Sequence, residues 1–332
     1  MYRENPDVIL WVGALTGTLY LNNLYDLKKP IYIVLTGPIH CISELTRIGL
    51  KTIIYNPRGL YLHFARFFVP KTLIRASFNS IAVRKIIVLS KRNKEFLERC
   101  LVDPSKIVYL PPGREEGKPL DIMEQNDHAK SDFTLVYFGP PFRYRGVDIL
   151  VRSFKIVTSR IPSRLLILSR LESDPLIMTE HIRLLRLIKR TKLNNVQVVP
   201  KFLSRKSLLS YLSTADVIVL PFKIVPSEAP ISILEAMWMG KPIISTKVDG
   251  IPEFLEDGCG VIIKPNDIKG LAECIVQLYE NPALIRKMQH NALCKIELWP
   301  TWRQISQKMF ALLHGTEGDA VSSLEKLTSS NG

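Results

Sequence analysis

Two glutamates seven residues apart, Glu228 and Glu235, stand in the largely apolar stretch 217–253, VIVLPFKIVPSEAPISILEAMWMGKPIISTKVDGIPE. An unpaired charge inside the run Leu234-Glu235-Ala236-Met237 would be costly to bury, so Glu235 calls for a partner. Carboxylates beside a phosphate site would repel the phosphate, whereas they accept hydrogen bonds readily from neutral hydroxyls, and sugar hydroxyls are the leading candidates. The opposing reading makes Glu228 a solvated loop residue and Glu235 a surface helical charge. A second group is cationic: Arg143 and Arg145 lie in the segment Gly139-Pro140-Pro141-Phe142-Arg143-Tyr144-Arg145-Gly146. A guanidinium offers paired donors that match a phosphate, and either arginine could meet a diphosphate. Here the alternative is a solvent-facing loop.

The elements that must position these groups are legible around them. Residues 217–220 and 243–245 are uninterrupted apolar runs, as expected of strands buried on both faces. Between them Pro230 suits the first turn of a helix, Ile231, Leu234, Ala236 and Trp238 supply its apolar side, and Gly240 before Lys241-Pro242 stops it. This is a βαβ unit, and such units open a crevice where helix N–H groups and the helix dipole favour a phosphate. Residues 133–138 form another strand. Gly139 then permits a tight turn, and a helix beginning near Val147 points its free N–H groups back to the same crevice.

The run SEAPISILEAMWMGKPIISTKVDGIPE, continued by EDGCGVIIKPND, resembles the donor-binding signature of family 4 glycosyltransferases. That resemblance implies a retaining enzyme with the two-domain GT-B fold, an α/β architecture of two doubly wound Rossmann-like domains. It implies that Glu235 binds the nucleotide ribose and that Glu228 contacts the donor sugar, from a loop one residue shorter than usual; Ser227 stands at the family spacing of eight. Ala229, Pro230 and Ile231 complete the donor contacts around the helix start. Arg145-Gly146 resembles the family's Lys-Gly pair, Pro140 replaces its first arginine, and Arg143 is the compensating candidate. Arg145 would stabilise the charge that builds on the leaving nucleotide. The segment 195–203 resembles the strand and loop that sandwich the base, which nominates Lys201 and Phe202.

Toward the amino terminus the likeness is looser. The opening at 6–11 resembles a strand lying partway through the family's first domain, so that domain is expected to be truncated by one or two βα units. Thr36 takes the place of the family's histidine after strand 31–35, and His40 is the catalytic alternative from a rearranged loop. Further strands are expected at 52–55 and 85–90. The expected organisation is an acceptor-side domain over 1–113, a linker over 114–132, a donor-binding domain over 133–299, a helix returning to the first domain over 300–314, and a disordered tail over 315–332. Asp249-Gly250 replaces a family pair of glycines, and Glu253 is read as structural.

Composition bounds the rest. The 332 residues, 46% hydrophobic, suffice for packed globular domains. Forty-five Lys and Arg against 31 Asp and Glu leave a net charge of +14, which implies an anionic partner. No acidic residue falls between Glu44 and Glu95, and within that stretch 60–71 interleaves aromatics with bases as a membrane-interface segment does. A partly buried helix with a solvated basic face explains the same pattern. The five widely spaced cysteines argue for a reducing compartment and against zinc. No secretory signal and no run long enough to span a membrane is evident. The expected partners are a UDP- or GDP-hexose, a lipid-linked or glycan acceptor and the inner face of the cell membrane from the cytoplasm, with no cofactor, no metal (there is no Asp-x-Asp motif) and no nucleic acid. A nucleic-acid module built on the basic stretch lacks any recognition motif. The alternative function is a catalytically inactive nucleotide-sugar-binding subunit of a larger assembly.

Overall fold

The computed structural model describes residues 7–13, 15, 29–37, 46, 69–117, 132–171, 174–225 and 228–315. The expected strand at 52–55, most of the basic aromatic segment, most of the linker and the tail lie outside these residues, as do His40 and Ser227.

The first unit consists of β1 (Ile9–Gly13), β2 (Ile31–Leu35), α1 (Lys71–Phe78), β3 (Val83–Val88), α2 (Lys91–Arg99) and β4 (Ile107–Tyr109). Its strands are parallel in the order β1-β2-β3-β4. Strand β3 stops at Val88, ahead of the expected end at residue 90, because Ser90 is committed to the next helix: its hydroxyl accepts the Asn93 N–H and caps α2. Every residue of β2 is buried, as a continuous apolar strand between two helical layers requires.

The second unit is the larger. It comprises β5 (Phe133–Gly139), α3 (Val147–Val157), β6 (Ser163–Ser169), α4 (Pro175–Thr191), β7 (Val196–Val199), α5 (Arg205–Ser213), β8 (Val217–Leu220), α6 (Ile231–Trp238), β9 (Ile243–Thr246), α7 (Ile251–Leu255), β10 (Gly260–Ile263), α8 (Ile268–Glu280) and α9 (Pro282–Leu298). All six strands are parallel, in the order β10-β9-β8-β5-β6-β7. The chain starts in the middle of the sheet, winds outward through β6 and β7, and then returns to build the other half. The reversal falls between β5 and β8, and at their carboxyl ends a crevice must open.

The last helix, α10 (Trp302–His314), lies on the first sheet, with Leu312, Ile305 and Met309 packed among Tyr32, Val34, Ile87 and Leu110. Its start is fixed by a capping box between Thr301 and Gln304. The crossing is tight. A Cβ on Gly113 would stand 2.5 Å from the Trp302 nitrogen, and Arg114 N–H donates to Pro300 O over 2.8 Å.

Candidate functional site

At the switch point lies a cavity of about 430 Å³, within the range of ligand pockets, walled by the ends of β5, β6 and β7 and the start of α6. Gly139 closes β5 at φ +122, and a Cβ there would be 2.7 Å from an Arg145 guanidinium nitrogen. Glycine at 139 therefore does two things: it turns the chain and it leaves room for Arg145. The short 3-10 turn Arg143–Arg145 follows, and Gly146 (φ +77) starts α3 so close to Pro221 that a Cβ would be 1.8 Å from its carbonyl oxygen. Arg145 donates through Nε to the Tyr137 hydroxyl (3.3 Å) and through Nη2 to Phe138 O (3.4 Å). Its guanidinium also lies 4.7 Å over the Phe222 ring. Burial pushes the Tyr137 phenol above its ordinary range, so it remains a neutral donor, here to Pro140 O.

Arg143 does not reach this cavity. In a turn of three residues per repeat, side chains two apart face different ways, and Arg143 pairs instead with Glu180 on α4 at 3.5 Å. Glu180 is also held by Arg183. Of the two arginines the sequence offered for the diphosphate, the fold brings only Arg145 to the pocket wall.

Opposite Arg145, Pro230, Ile231, Ser232 and Glu235 enter the wall from α6. First-turn amides of a helix lack intrahelical partners and carry the positive end of its dipole. The Ser232 hydroxyl is buried with no hydrogen-bond partner among the described residues. An unsatisfied hydroxyl is costly unless a ligand completes it, so Ser232 joins the site although no sequence signal beyond its place two residues after Pro230 marked it. Glu235 accepts from Arg205 through Oε1 at 2.9 Å. Burial raises its carboxyl pKa, and the charge and hydrogen bond of Arg205 oppose that rise. Lys201 and Phe202 line the far end with Arg170, which lies 5.0 Å over the Phe202 ring. Arg170, at the end of β6 much as Gly139 ends β5, was also missed; the strand-end rule alone would have found it. Among the described residues no three of His, Cys, Asp and Glu gather as a group that could hold a metal.

Glu228 is elsewhere. Its side chain faces the first domain, where Oε2 accepts the Leu89 N–H (2.8 Å) and Oε1 the Ser90 hydroxyl (3.1 Å). Its own N–H donates to Thr36 O at 3.3 Å, so the residue that replaces the expected histidine touches it through the backbone. Glu228 is only 1% exposed, and this desolvation pushes its carboxyl up to about 8. Ala229 beside it is buried and is not part of the cavity wall. Glu253 accepts the Lys91 and Arg92 N–H groups at 2.9 and 3.0 Å, and Asp249 pairs with Arg92 at 2.8 Å. Three acidic residues of the second domain thus hold the amino end of α2 in the first, where the helix dipole favours the charge of Glu253 and Asp249. Asp249 occupies a left-handed conformation (φ 48), which explains how this chain dispenses with one of the two glycines.

Comparison with known proteins agrees with this architecture. Residues 132–281 match the model of the family described as glycosyl transferases group 1. The chain is 27% identical over 259 residues to the capsular polysaccharide biosynthesis glycosyltransferase CapM of Staphylococcus aureus, covering 74% of this chain and 65% of that protein. It aligns with between 24% and 65% of the length of three curated relatives that it matches. Sucrose-phosphate synthase from Thermosynechococcus elongatus superposes with a TM-score of 0.73 at 18% identity, over 95% of this chain and 74% of that one. Anabaena HepE in complex with UDP-glucose superposes with a TM-score of 0.66 at 17% identity, over 93% and 79%. The two parallel sheets, with the second wound about the β5–β8 switch point, have the GT-B fold, and within them residues 132–281 are similar to the glycosyl transferases group 1 family.

Proposed function

We propose that the protein transfers a hexose from a UDP- or GDP-sugar to an acceptor hydroxyl, with retention and without a metal ion. The observation that carries the reading is the convergence on one cavity of Arg145, the amino end of α6 with a Ser232 hydroxyl that has no partner among the described residues, and Glu235. Arg145 and the α6 amides hold the diphosphate and stabilise its charge as it leaves. Glu235 accepts from the ribose hydroxyls. Arg170, Lys201 and Phe202 enclose the base, and UDP-glucose bound to the similarly folded HepE supports a nucleotide-sugar donor. During transfer the bond from sugar C1 to the β-phosphate oxygen breaks, the acceptor oxygen bonds to C1 on the same face, and the acceptor proton passes to the departing phosphate.

Glu228 reaches the sugar by exchanging Leu89 N–H and Ser90 for sugar hydroxyls, which requires the two domains to part along the seam. The acceptor is a glycan or a lipid-linked sugar, in keeping with the polysaccharide-biosynthesis name of CapM. Lys71, Arg75, Arg84 and Lys85 belong to the acid-free basic stretch, whose counterpart is an anionic lipid surface at the cytoplasmic face of the membrane. No helix among the described residues is long and apolar enough to cross a membrane.

Titration calorimetry with UDP, GDP and their hexose conjugates tests the donor, and product formation with retained anomeric configuration tests the reaction. Binding of a nucleotide-sugar that Arg145→Ala weakens at least tenfold is expected. Failure of the wild type to bind any of these ligands refutes the reading. Co-sedimentation with anionic vesicles at low salt tests the membrane surface, and absence of binding there excludes it.

A further inference from the structure

Glu235 is one of a set. Its Oε1 is taken by Nη1 of Arg205 at 2.9 Å, while Oε2 makes no hydrogen bond among the described residues. Arg205 is the first residue of α5, which Ser204 caps by accepting the Ser207 N–H. Its other terminal nitrogen lies 3.5 Å from Glu115, in the segment that leaves the first domain. The guanidinium also stands 5.7 Å over the ring of Trp238, whose indole N–H donates to Gly117 O at 3.2 Å. A planar fork held from three sides has little rotational freedom left, and it presents its donors to Glu235 in one geometry.

Resting on the ribose role proposed for Glu235, we propose that Arg205 is a positioning residue that fixes the Glu235 carboxylate and so confers selection for ribonucleotide over deoxyribonucleotide donors. Arg205 is not part of the cavity wall, and among the described residues its side chain reaches the wall through Glu235. By occupying Oε1 it directs Oε2 toward a ribose hydroxyl. By its charge it keeps the carboxylate an acceptor rather than a donor. The groups that bear on Glu235 come from three elements: Arg205 on α5 and Arg170 after β6 favour its ionised form, and Glu115 opposes it. Burial is the largest influence and favours the neutral form, so without Arg205 the carboxyl would protonate at higher pH.

The test compares UDP with 2′-deoxy-UDP, and GDP with its deoxy counterpart, in wild type, Arg205→Ala and Arg205→Lys, with Kd from calorimetry between pH 6 and 9. A site that hydrogen-bonds a hydroxyl rejects the analogue lacking it, so the wild type is expected to prefer the ribonucleotide at least tenfold at every pH. In Arg205→Ala that preference falls below about threefold, and any recovery comes toward higher pH, because losing the arginine raises the Glu235 carboxyl further. Arg205→Lys keeps a preference of at least fivefold. Equal loss of affinity for both nucleotides, with their ratio and its pH profile unchanged, would overturn the positioning role and leave a general attraction for the diphosphate. Should Arg205→Ala not fold, Arg205→Gln, which keeps much of the stem and removes the charge, decides: a ratio and pH profile unmoved there refute the inference. A wild type that binds nucleotide without distinguishing the sugars also refutes it, whereas a wild type that binds no nucleotide refutes the pocket reading itself.

Discussion

The seam between the domains should loosen as pH rises, and Glu228 sets the size of the effect. Its carboxyl is raised from an ordinary 4.5 to about 8, chiefly by burial. A carboxyl raised on folding binds more protons in the native state than in the unfolded chain. Its stabilisation is therefore complete below about pH 4.5 and is lost as pH climbs to about 8. The full displacement corresponds to about 5 kcal/mol, and the part falling between pH 6 and pH 8 to about 2 kcal/mol. For domains of this size that is about 4 to 8 °C in Tm. Glu228→Gln keeps the shape and an oxygen to accept from Leu89 or Ser90 but does not titrate. It should melt slightly below wild type at pH 6, by about 1 kcal/mol for one imperfect hydrogen bond, and at or above wild type at pH 8. The seam limits the loss, because once ionisation costs more than the interface contributes the domains part and water reaches the carboxylate. Small-angle scattering should then show the wild type expanding between pH 6 and 9 and Glu228→Gln unchanged. Parallel melting curves for the two proteins across this range would refute the argument.

Three further outcomes follow from particular contacts. Gly139→Ala places a Cβ at φ +122 against the Arg145 guanidinium and should weaken UDP binding about tenfold by calorimetry, with a stability cost of about 1–2 kcal/mol. Glu253→Ala removes the acceptors of two helix N–H groups and should lower stability by about 2 kcal/mol in urea unfolding, with proteolysis first appearing near Lys91 and Arg92. Gly146→Ala, whose Cβ would lie 1.8 Å from Pro221 O, should cost at least about 3 kcal/mol, seen as loss of soluble protein.

What could be read in advance depended on how far the deciding contact lay along the chain. The unit β8–α6–β9 announced itself, because continuous apolar runs bounded by Pro221, Pro230 and Gly240 admit few other arrangements, and Glu235 came with it. Lys201 and Phe202 came from the family resemblance of segment 195–203, and the rule that ligands meet the carboxyl ends of strands, applied to β6, points to Arg170. Arg143 and Arg145 looked equivalent as letters. Only the pitch of the 3-10 turn and the presence of Glu180 on a later helix separate them. Glu228 shows the limit most clearly. The amide and hydroxyl it engages lie 139 and 138 residues earlier, at the end of a strand in another sheet. Local pattern placed it in a loop beside the crevice, but the packing of one domain on the other decides which way the carboxylate turns. Arg205 falls between these cases: the charge inside Leu234-Glu235-Ala236-Met237 demanded a partner, yet a separation of 30 residues along the chain hid which cation would supply it. An unpaired charge in an apolar run is thus a sound reason to expect a partner, and the fold must identify it.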